Sequence, residues 1–289
     1  MILYWFLLLY IASTSKMIQT PNSTLFKKGN PSTNFSSIYL PDTDYVPIVE
    51  VNSQQAVFNN LNSDIGKEYF YFTADIKNES IKNCNGVSEW LGYADTHFDL
   101  KKYNQILHPS HEIVQNFYGL VLSKYLIEDK PKLQFMHPVW GTILALKHKN
   151  GKYIYCKRQC YPFQLSTDNK LLEYLCVFTV IKEYNNECYH GRLYDVTHTG
   201  TIYEEKIKKK LQNSFEQHSN FSTQELRIIK RYAQNAKTTS ETIAKAFKIK
   251  KATVATYNKR ILRKAELIFC TEFENAKEVG KYLREIKFM

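Results

Sequence analysis

The chain has few of the residues that build phosphate-binding loops, since only 10 of its 289 residues are glycine. No glycine-rich loop stands between a predicted strand and a predicted helix. The sequence motifs of P-loop nucleotidases, zinc metalloproteases and serine hydrolases are all missing. These absences exclude the common nucleotide-dependent and hydrolytic enzymes, and we predict that the protein is not an enzyme.

Cysteine is also sparse. The 6 cysteines are spread along the chain and form no dense framework, which favours reduced thiols in a cytoplasmic protein. Cys156 and Cys160 share one face of a predicted strand, but no CxxC motif and no histidine at metal-ligand spacing accompany them. The sequence therefore predicts no metal site and identifies no cofactor.

Long apolar runs are missing as well. The run near the start covers about eleven residues, roughly half of what a membrane-spanning helix needs, and the positive region of a signal peptide is absent. Met17 is therefore the preferred start, with a short membrane-associated segment as the alternative. Residues 1–44, which are rich in Asn, Ser, Thr and Pro from residue 18 onward, are predicted to form a disordered leader.

Acidic residues are scarce in one part of the chain. Residues 201–289 contain 20 Lys and Arg against 10 Asp and Glu, whereas residues 1–200 contain 19 against 18. Almost all of the formal charge of +11 thus lies in the last third. Because clustered cations attract phosphate groups, this imbalance favours a polyanion-binding domain joined to a neutral one; a solvated basic surface is the alternative.

The neutral part, residues 45–198, has the pattern of an α+β domain. Aromatic and β-branched residues predict a first hairpin near residues 69–87, and Asn150-Gly151 predicts a second. Residues 170–184 are apolar enough to form a central strand.

Helices are predicted between the two hairpins. Two short segments are followed by residues 108–128, where Pro109 lies near the helix start and apolar residues recur at every fourth position. We expect this to be the longest helix of the first domain.

The order of these elements, with "GYADTHFDLKKYNQILHPSH" before the long helix and "KNGKYIYCKRQ" after it, resembles that of a PAS sensor domain. The resemblance implies a five-stranded antiparallel sheet with helices on one face, which encloses a cavity or a partner surface. An unrelated α+β domain is the alternative. A small-molecule or protein signal is expected at this domain, and its identity is not evident from the residues.

A linker helix is predicted within residues 199–219. Ile207, Leu211 and Phe215 recur at every fourth position among charged residues, as on the apolar stripe of an amphipathic helix. Such a helix can pack on either domain or pair with a second copy of itself, and a plain surface helix fits equally well.

The last domain, residues 220–289, contains helix patterns with marked starts. Ser222 and Glu225 have the spacing of a capping box, and Thr238 and Glu241 repeat it before a second, shorter helix.

A third helix is predicted to begin near Lys251. Its inward face is apolar, whereas its outward face carries small and basic residues. The inward residues are Val254, Ile261, Leu262 and Ala265; the outward residues are Ala255, Thr256, Lys259, Arg260 and Arg263.

These two faces match the needs of a DNA-reading helix. The apolar stripe docks the helix on its neighbours, and the basic face is left for the major groove, which admits one α-helix. Short side chains allow close approach to base edges, while Lys and Arg reach guanine acceptors or phosphates.

The segment "FSTQELRIIKRYAQNAKTTSETIAKAFKIKKATVATYNKRILRKAE" resembles the helix-turn-helix of the LuxR/GerE family (NarL/FixJ class). The resemblance implies an all-α four-helix domain whose fourth helix, in "TEFENAKEVGKYLREI", commonly supports dimer contacts. Two positions depart from the family pattern. Asn235 replaces a glycine and can substitute for it because asparagine tolerates the left-handed conformation, and Tyr257 replaces a histidine, with a hydroxyl that can donate to a phosphate.

The resemblance also implies a role for each residue of the third helix. Ala255, Thr256 and Lys259 are expected to face base edges. Thr253, Tyr257, Arg260, Arg263 and Lys264 are expected to approach phosphates, with Lys250 and Lys251 near the helix entry.

The sequence therefore predicts a cytoplasmic transcription regulator in which a PAS-like sensor controls a DNA-binding domain. Its expected partner is double-stranded DNA, bound by a homodimer, and RNA polymerase is a further candidate. A sigma-like polymerase factor is one alternative, although it would need a helical promoter-melting region upstream. A basic module that binds RNA or acidic partners is the other.

Overall fold

The computed structural model describes residues 46–63, 68–76, 78, 80–193 and 201–289. The predicted leader, residues 1–44, lies outside the described residues. We call residues 46–193 the sheet region and residues 201–289 the helical region.

The sheet region contains six antiparallel strands. They are β1 (Tyr69–Asp75), β2 (Ser80–Asn85), β3 (Trp140–Lys147), β4 (Tyr153–Leu165), β5 (Leu171–Glu183) and β6 (His190–Leu193). The strand order is β2-β1-β5-β4-β3-β6, so β5 is central, as the sequence predicted. Both predicted hairpins are confirmed, and Gly151 takes a positive φ of 96° in the second turn.

The helices of this region are α1 (Val51–Ser63), α2 (Val87–Trp90), α3 (Leu100–Ile106) and α4 (Pro109–Glu128). A 3₁₀ turn, Asp95–His97, precedes α3. The long helix α4 begins at Pro109 as predicted, and the ring of His108 caps its first turn.

The main core lies between one sheet face and the helices α2 to α4. Phe70 stacks on Phe178 at 4.7 Å between ring centroids, and Tyr103 of α3 meets Phe178 edge-on at 5.8 Å. Such aromatic pairs contribute large buried areas to the core.

Two expectations from the PAS resemblance need correction. The sheet has a sixth strand, β6, which pairs with β3 through only four residues and is too short to give a strong sequence pattern. Helices also cover both sheet faces, because α1 packs on the opposite face. On that face the ring of Phe58 lies 5.1 Å from the ring of Phe163. Without α1, the apolar ring of Phe163 would be exposed.

The helical region continues with five helices. They are α5 (Thr201–His218), α6 (Thr223–Gln234), α7 (Ser240–Phe247), α8 (Lys251–Phe269) and α9 (Ala276–Glu285). Among the described helices, none is both long enough and apolar enough to cross a membrane.

The two regions share one continuous core. The predicted stripe of α5, Ile207, Leu211 and Phe215, is buried. Phe117 of α4, Phe215 and Phe288 form an aromatic junction, with ring centroids 5.0–5.7 Å apart. The linker helix α5 therefore packs both on α4 of the sheet region and on helices that follow it, whereas the sequence left open packing on either domain, pairing with a second copy or a plain surface helix.

Candidate nucleic-acid interface

The start of α6 is fixed by the predicted capping box. Ser222 Oγ accepts a hydrogen bond from the Glu225 amide at 3.3 Å, and Glu225 Oε2 accepts one from the Ser222 amide at 2.6 Å. Two otherwise unpaired backbone N–H groups are thereby satisfied. The helix ends at Gln234.

The start of α7 differs from prediction by one residue. Thr239 is the N-cap, and Thr242 completes the reciprocal pair with hydrogen bonds of 3.2 and 2.9 Å. Glu241 instead points outward and pairs with Lys245 at 3.2 Å. The Thr238–Glu241 assignment was therefore wrong, because the adjacent Thr239 and Thr242 form an equivalent box with the same spacing.

Asn235 does not use the left-handed conformation that asparagine tolerates. Its backbone is extended, with φ −140° and ψ 114°, and its side chain accepts a hydrogen bond from the Lys237 amide at 2.8 Å. The chain leaves α6 through this turn, so a glycine-like conformation is not needed. The left-handed residue lies further on, at Lys248, where α7 ends with φ 53°.

The inward face of α8 docks the helix on α6 and α7. Val254, Ile261 and Ala265 are fully buried, as predicted, whereas Leu262 is only half-buried. Asn258 adds polar contacts that the sequence pattern did not reveal. Its Nδ2 donates to Tyr232 Oη of α6 at 3.0 Å and to Ser240 Oγ of α7 at 3.1 Å.

The outward face of α8 presents most of the predicted site residues together. Those that are exposed are Lys250, Lys251, Thr253, Ala255, Thr256, Lys259, Arg260 and Arg263. None of the five cations among them forms an ion pair with another described residue. Cations held without partners on one helical face provide an attractive field for a polyanion.

Small residues lie along the middle of this face. Thr256 Oγ1 bonds back to the Ala252 carbonyl at 3.1 Å, so its methyl group and not its hydroxyl is left free on the surface. Ala252 is exposed at the same face, one turn before Thr256. Sequence reasoning missed Ala252, although its i, i+4 spacing to Thr256 was the available signal.

Two predicted residues do not lie free on the surface. Tyr257 is half-buried against the core. Lys264 Nζ lies 2.6 Å from Glu225 Oε2 and 2.8 Å from the Asn220 carbonyl oxygen. The assignment of Lys264 to a phosphate is therefore corrected, because its ammonium is held by the carboxylate of the capping box.

The fourth helix, α9, uses its apolar face within the chain. Val279 and Leu283 are buried, and a Cβ added to Gly280 would lie 2.7 Å from Tyr232 Cβ. The outward residues of α9 are charged: Lys277, Glu278, Lys281, Arg284 and Glu285.

Comparison with known proteins gives distant likenesses. No protein-family model matches the chain, and no curated protein matches it. Vibrio cholerae VqmA, presented among LuxR-type receptors, is 11% identical with a TM-score of 0.29 over 83% of this chain and 89% of its own. Escherichia coli SdiA is 11% identical with a TM-score of 0.25 over 83% and 92%. A sensory box histidine kinase/response regulator from Burkholderia thailandensis is 10% identical with a TM-score of 0.31 over 43% and 84%. Because these superpositions are loose, we base the function on the chain's own residues.

Proposed function

We propose that the protein is a cytoplasmic, sequence-specific DNA-binding transcription regulator that reads the major groove with α8. One observation carries the proposal: the outward face of α8 holds five cations that are unpaired among the described residues, around a centre of small side chains. A basic surface that is merely solvated does not require small side chains at its centre. A helix that approaches base edges does, because bulky side chains would hold it away.

The proposed contacts follow from position along α8. Ala252, Ala255 and Thr256 pack near the bases, where a methyl group can contact a thymine methyl. Lys259 reaches a base edge. Arg260 and Arg263 approach phosphates, and Lys250 and Lys251 meet the backbone at the helix entry.

The sheet region, proposed to span residues 45–198, acts as a PAS-like sensor that receives a small-molecule or protein signal. The linker helix, residues 199–219, joins it to the DNA-binding domain, residues 220–289. Because the aromatic junction packs α4 against the helical region, a shift of α4 would also move the DNA-binding helices. Two copies bind as a homodimer, with recognition helices about 34 Å apart, and RNA polymerase is a further proposed partner.

The alternatives are less well supported. A sigma-like factor would need a helical promoter-melting region, whereas the described residues before α5 form a sheet with covering helices. A module for RNA or acidic proteins would use the cations of α8 but has no need for its small-residue centre.

Selection from a random pool of duplexes tests the proposal. The full chain is expected to enrich a near-palindromic sequence, and Lys259→Ala is expected to lose that enrichment while keeping nonspecific binding. Lys277→Ala, on the outward face of α9, is the matched control. No enrichment from duplex DNA, together with tight binding of a structured RNA, would favour the RNA-binding alternative.

A further inference from the structure

A buried arginine in the sheet region has no carboxylate partner among the described residues. Arg158 of β4 is 3% exposed, and the ionisable groups around it are the phenols of Tyr103, Tyr174 and Tyr189 and the thiols of Cys160 and Cys176. Its Nε donates to Thr142 Oγ1 at 3.1 Å, and its Nη1 donates to the Tyr103 hydroxyl. Its Nη2 has no hydrogen-bond partner among the described residues.

Three further polar groups close to Arg158 are buried without a described partner. They are Trp140 Nε1, Tyr189 Oη and Gln115 Oε1. The Trp140 ring lies 4.4 Å from the guanidinium carbon, Tyr189 interacts electrostatically with Arg158, and Gln115 is hydrogen-bonded to Tyr103. All of these side chains are at least nine-tenths buried.

Such a cluster is costly if nothing occupies it. An unpaired buried donor costs about 1–3 kcal/mol, and an uncompensated buried charge costs several kcal/mol. Native structures satisfy nearly all of their buried polar groups. Of the four unmet atoms, Arg158 Nη2 and Trp140 Nε1 are donors, Tyr189 Oη can donate or accept, and Gln115 Oε1 accepts. A negatively charged acceptor would therefore meet three of them.

We propose that Arg158, Trp140 and Tyr189 form an internal binding site for a small carboxylate. A planar carboxylate matches the guanidinium fork, and the indole N–H and the Tyr189 hydroxyl can donate to its remaining lone pairs. A phosphate is less suitable, because its second charge would have no cation nearby. The packed aromatic surroundings restrict the ligand to a short apolar tail.

One internal group competes for the same charge. The sulfurs of Cys160 and Cys176 are 3.1 Å apart across β4 and β5. The hydrogen bond with Cys176 and the charge of Arg158 hold the pKa of the Cys160 thiol below its ordinary value, against the opposing effect of burial. Burial raises the pKa of Cys176. A Cys160 thiolate is therefore the alternative partner of Arg158.

The site is connected to the DNA-binding region by direct contacts. Tyr189 packs against Tyr118 of α4 with ring centroids 5.6 Å apart. The Tyr118 hydroxyl lies 3.2 Å from the carbonyl oxygens of both Gly191 in β6 and Ile286 just after α9, so its one proton is shared between them. A bound carboxylate thus lies one side chain away from one of the contacts between α4 and the helical region. This regulatory role rests on the proposed function, whereas carboxylate binding does not.

The test is thermal unfolding and calorimetric titration of the full chain with sodium acetate, at constant ionic strength and without DNA. Acetate is expected to raise Tm, and neutral acetamide is not. Arg158→Met is expected to weaken acetate binding at least about 30-fold, since the negative charge of the buried acetate would lose its partner. Trp140→Phe removes one donor and, should Arg158→Met not fold, still gives a loss of about tenfold.

The matched control is Arg227→Met, which removes an arginine that lies over the Phe247 ring at 4.7 Å on the surface. It is expected to keep the acetate response. No response in the wild type, an equal response to acetamide, or full binding by both site variants would overturn the site. Acetate binding that appears only in Cys160→Ser would also overturn it, in favour of the thiolate. A protein that binds acetate but not duplex DNA would contradict the proposed function alone.

Discussion

The ammonium of Lys264 on α8 lies 2.6 Å from the carboxylate of Glu225 at the start of α6. Glu225 is 2% exposed and also accepts the Ser222 amide, whereas Lys264 is about one-third exposed. One carboxylate therefore both caps α6 and anchors α8. The pair fixes α8 against its neighbour and gives Lys264 a structural role.

Replacing Lys264 by Met is expected to lower the free energy of unfolding by about 2 kcal/mol, because Glu225 stays buried without its cation. Urea denaturation measures the change. In the double variant with Glu225→Gln, much of the Lys264→Met effect is expected to disappear, since the orphaned charge is gone. A stable Lys264→Met protein with reduced salt dependence of DNA binding would restore the phosphate role.

Gly280 allows α9 to cross close to α6. A Cβ at this position would lie 2.7 Å from Tyr232 Cβ and 2.9 Å from the Ala233 backbone nitrogen. Gly280→Ala is therefore expected to lower stability by about 1–3 kcal/mol, since the backbone must move. Gly119→Ala on α4 is the control, because nothing lies within 4 Å of its added Cβ. It is expected to raise stability by about 0.5–1 kcal/mol. Equal effects of the two variants would show that the helix crossing is not tight.

The buried His111 predicts a loss of stability in acid. Its Nδ1 accepts from the Ala145 amide and its Nε2 faces the Glu187 carbonyl, both at 2.9 Å, so the neutral ring is held by both nitrogens. Burial lowers the pKa of His111 to about 4. The unfolded chain, with a pKa of about 6.5, therefore binds the proton more readily than the folded chain.

The stability contributed by His111 is complete above about pH 6.5 and is lost as the pH falls towards about 4. Between about pH 7 and pH 5 the expected loss is about 2 kcal/mol. Urea unfolding across this range measures it. His111→Gln is expected to flatten the profile, while His97→Gln, at an exposed position, keeps it. The same slope in both variants would assign the acid sensitivity to other groups.

The sequence predicted the main elements because each has a strong local cause. The capping box of Ser222 fixed the start of α6, Pro109 marked the start of α4, and Asn150-Gly151 marked a hairpin. Apolar periodicity likewise identified the buried and exposed faces of α8. These signals act within a few residues and need no tertiary information.

The remaining features depend on contacts between distant residues. Helix α1 is rich in Asn and Ser, and its packing on Phe163 could not be read from its own weak pattern. Asn258 looks like an ordinary surface residue until α6 and α7 bring Tyr232 and Ser240 to it. Arg158 is similar, because a single basic residue in a strand does not reveal that it is buried.

We propose that the outward face of α8 binds duplex DNA through Arg263 and its neighbours. The most direct measurement is the affinity for a fluorescent duplex over a range of salt concentrations, for the wild type, Arg263→Ala and the control Lys277→Ala. We predict that Arg263→Ala weakens binding to all duplex sequences and lowers the slope of log affinity against log salt by about one. Lys277→Ala is expected to match the wild type. An affinity and slope unchanged in Arg263→Ala, or reduced equally in Lys277→Ala, would contradict the claim.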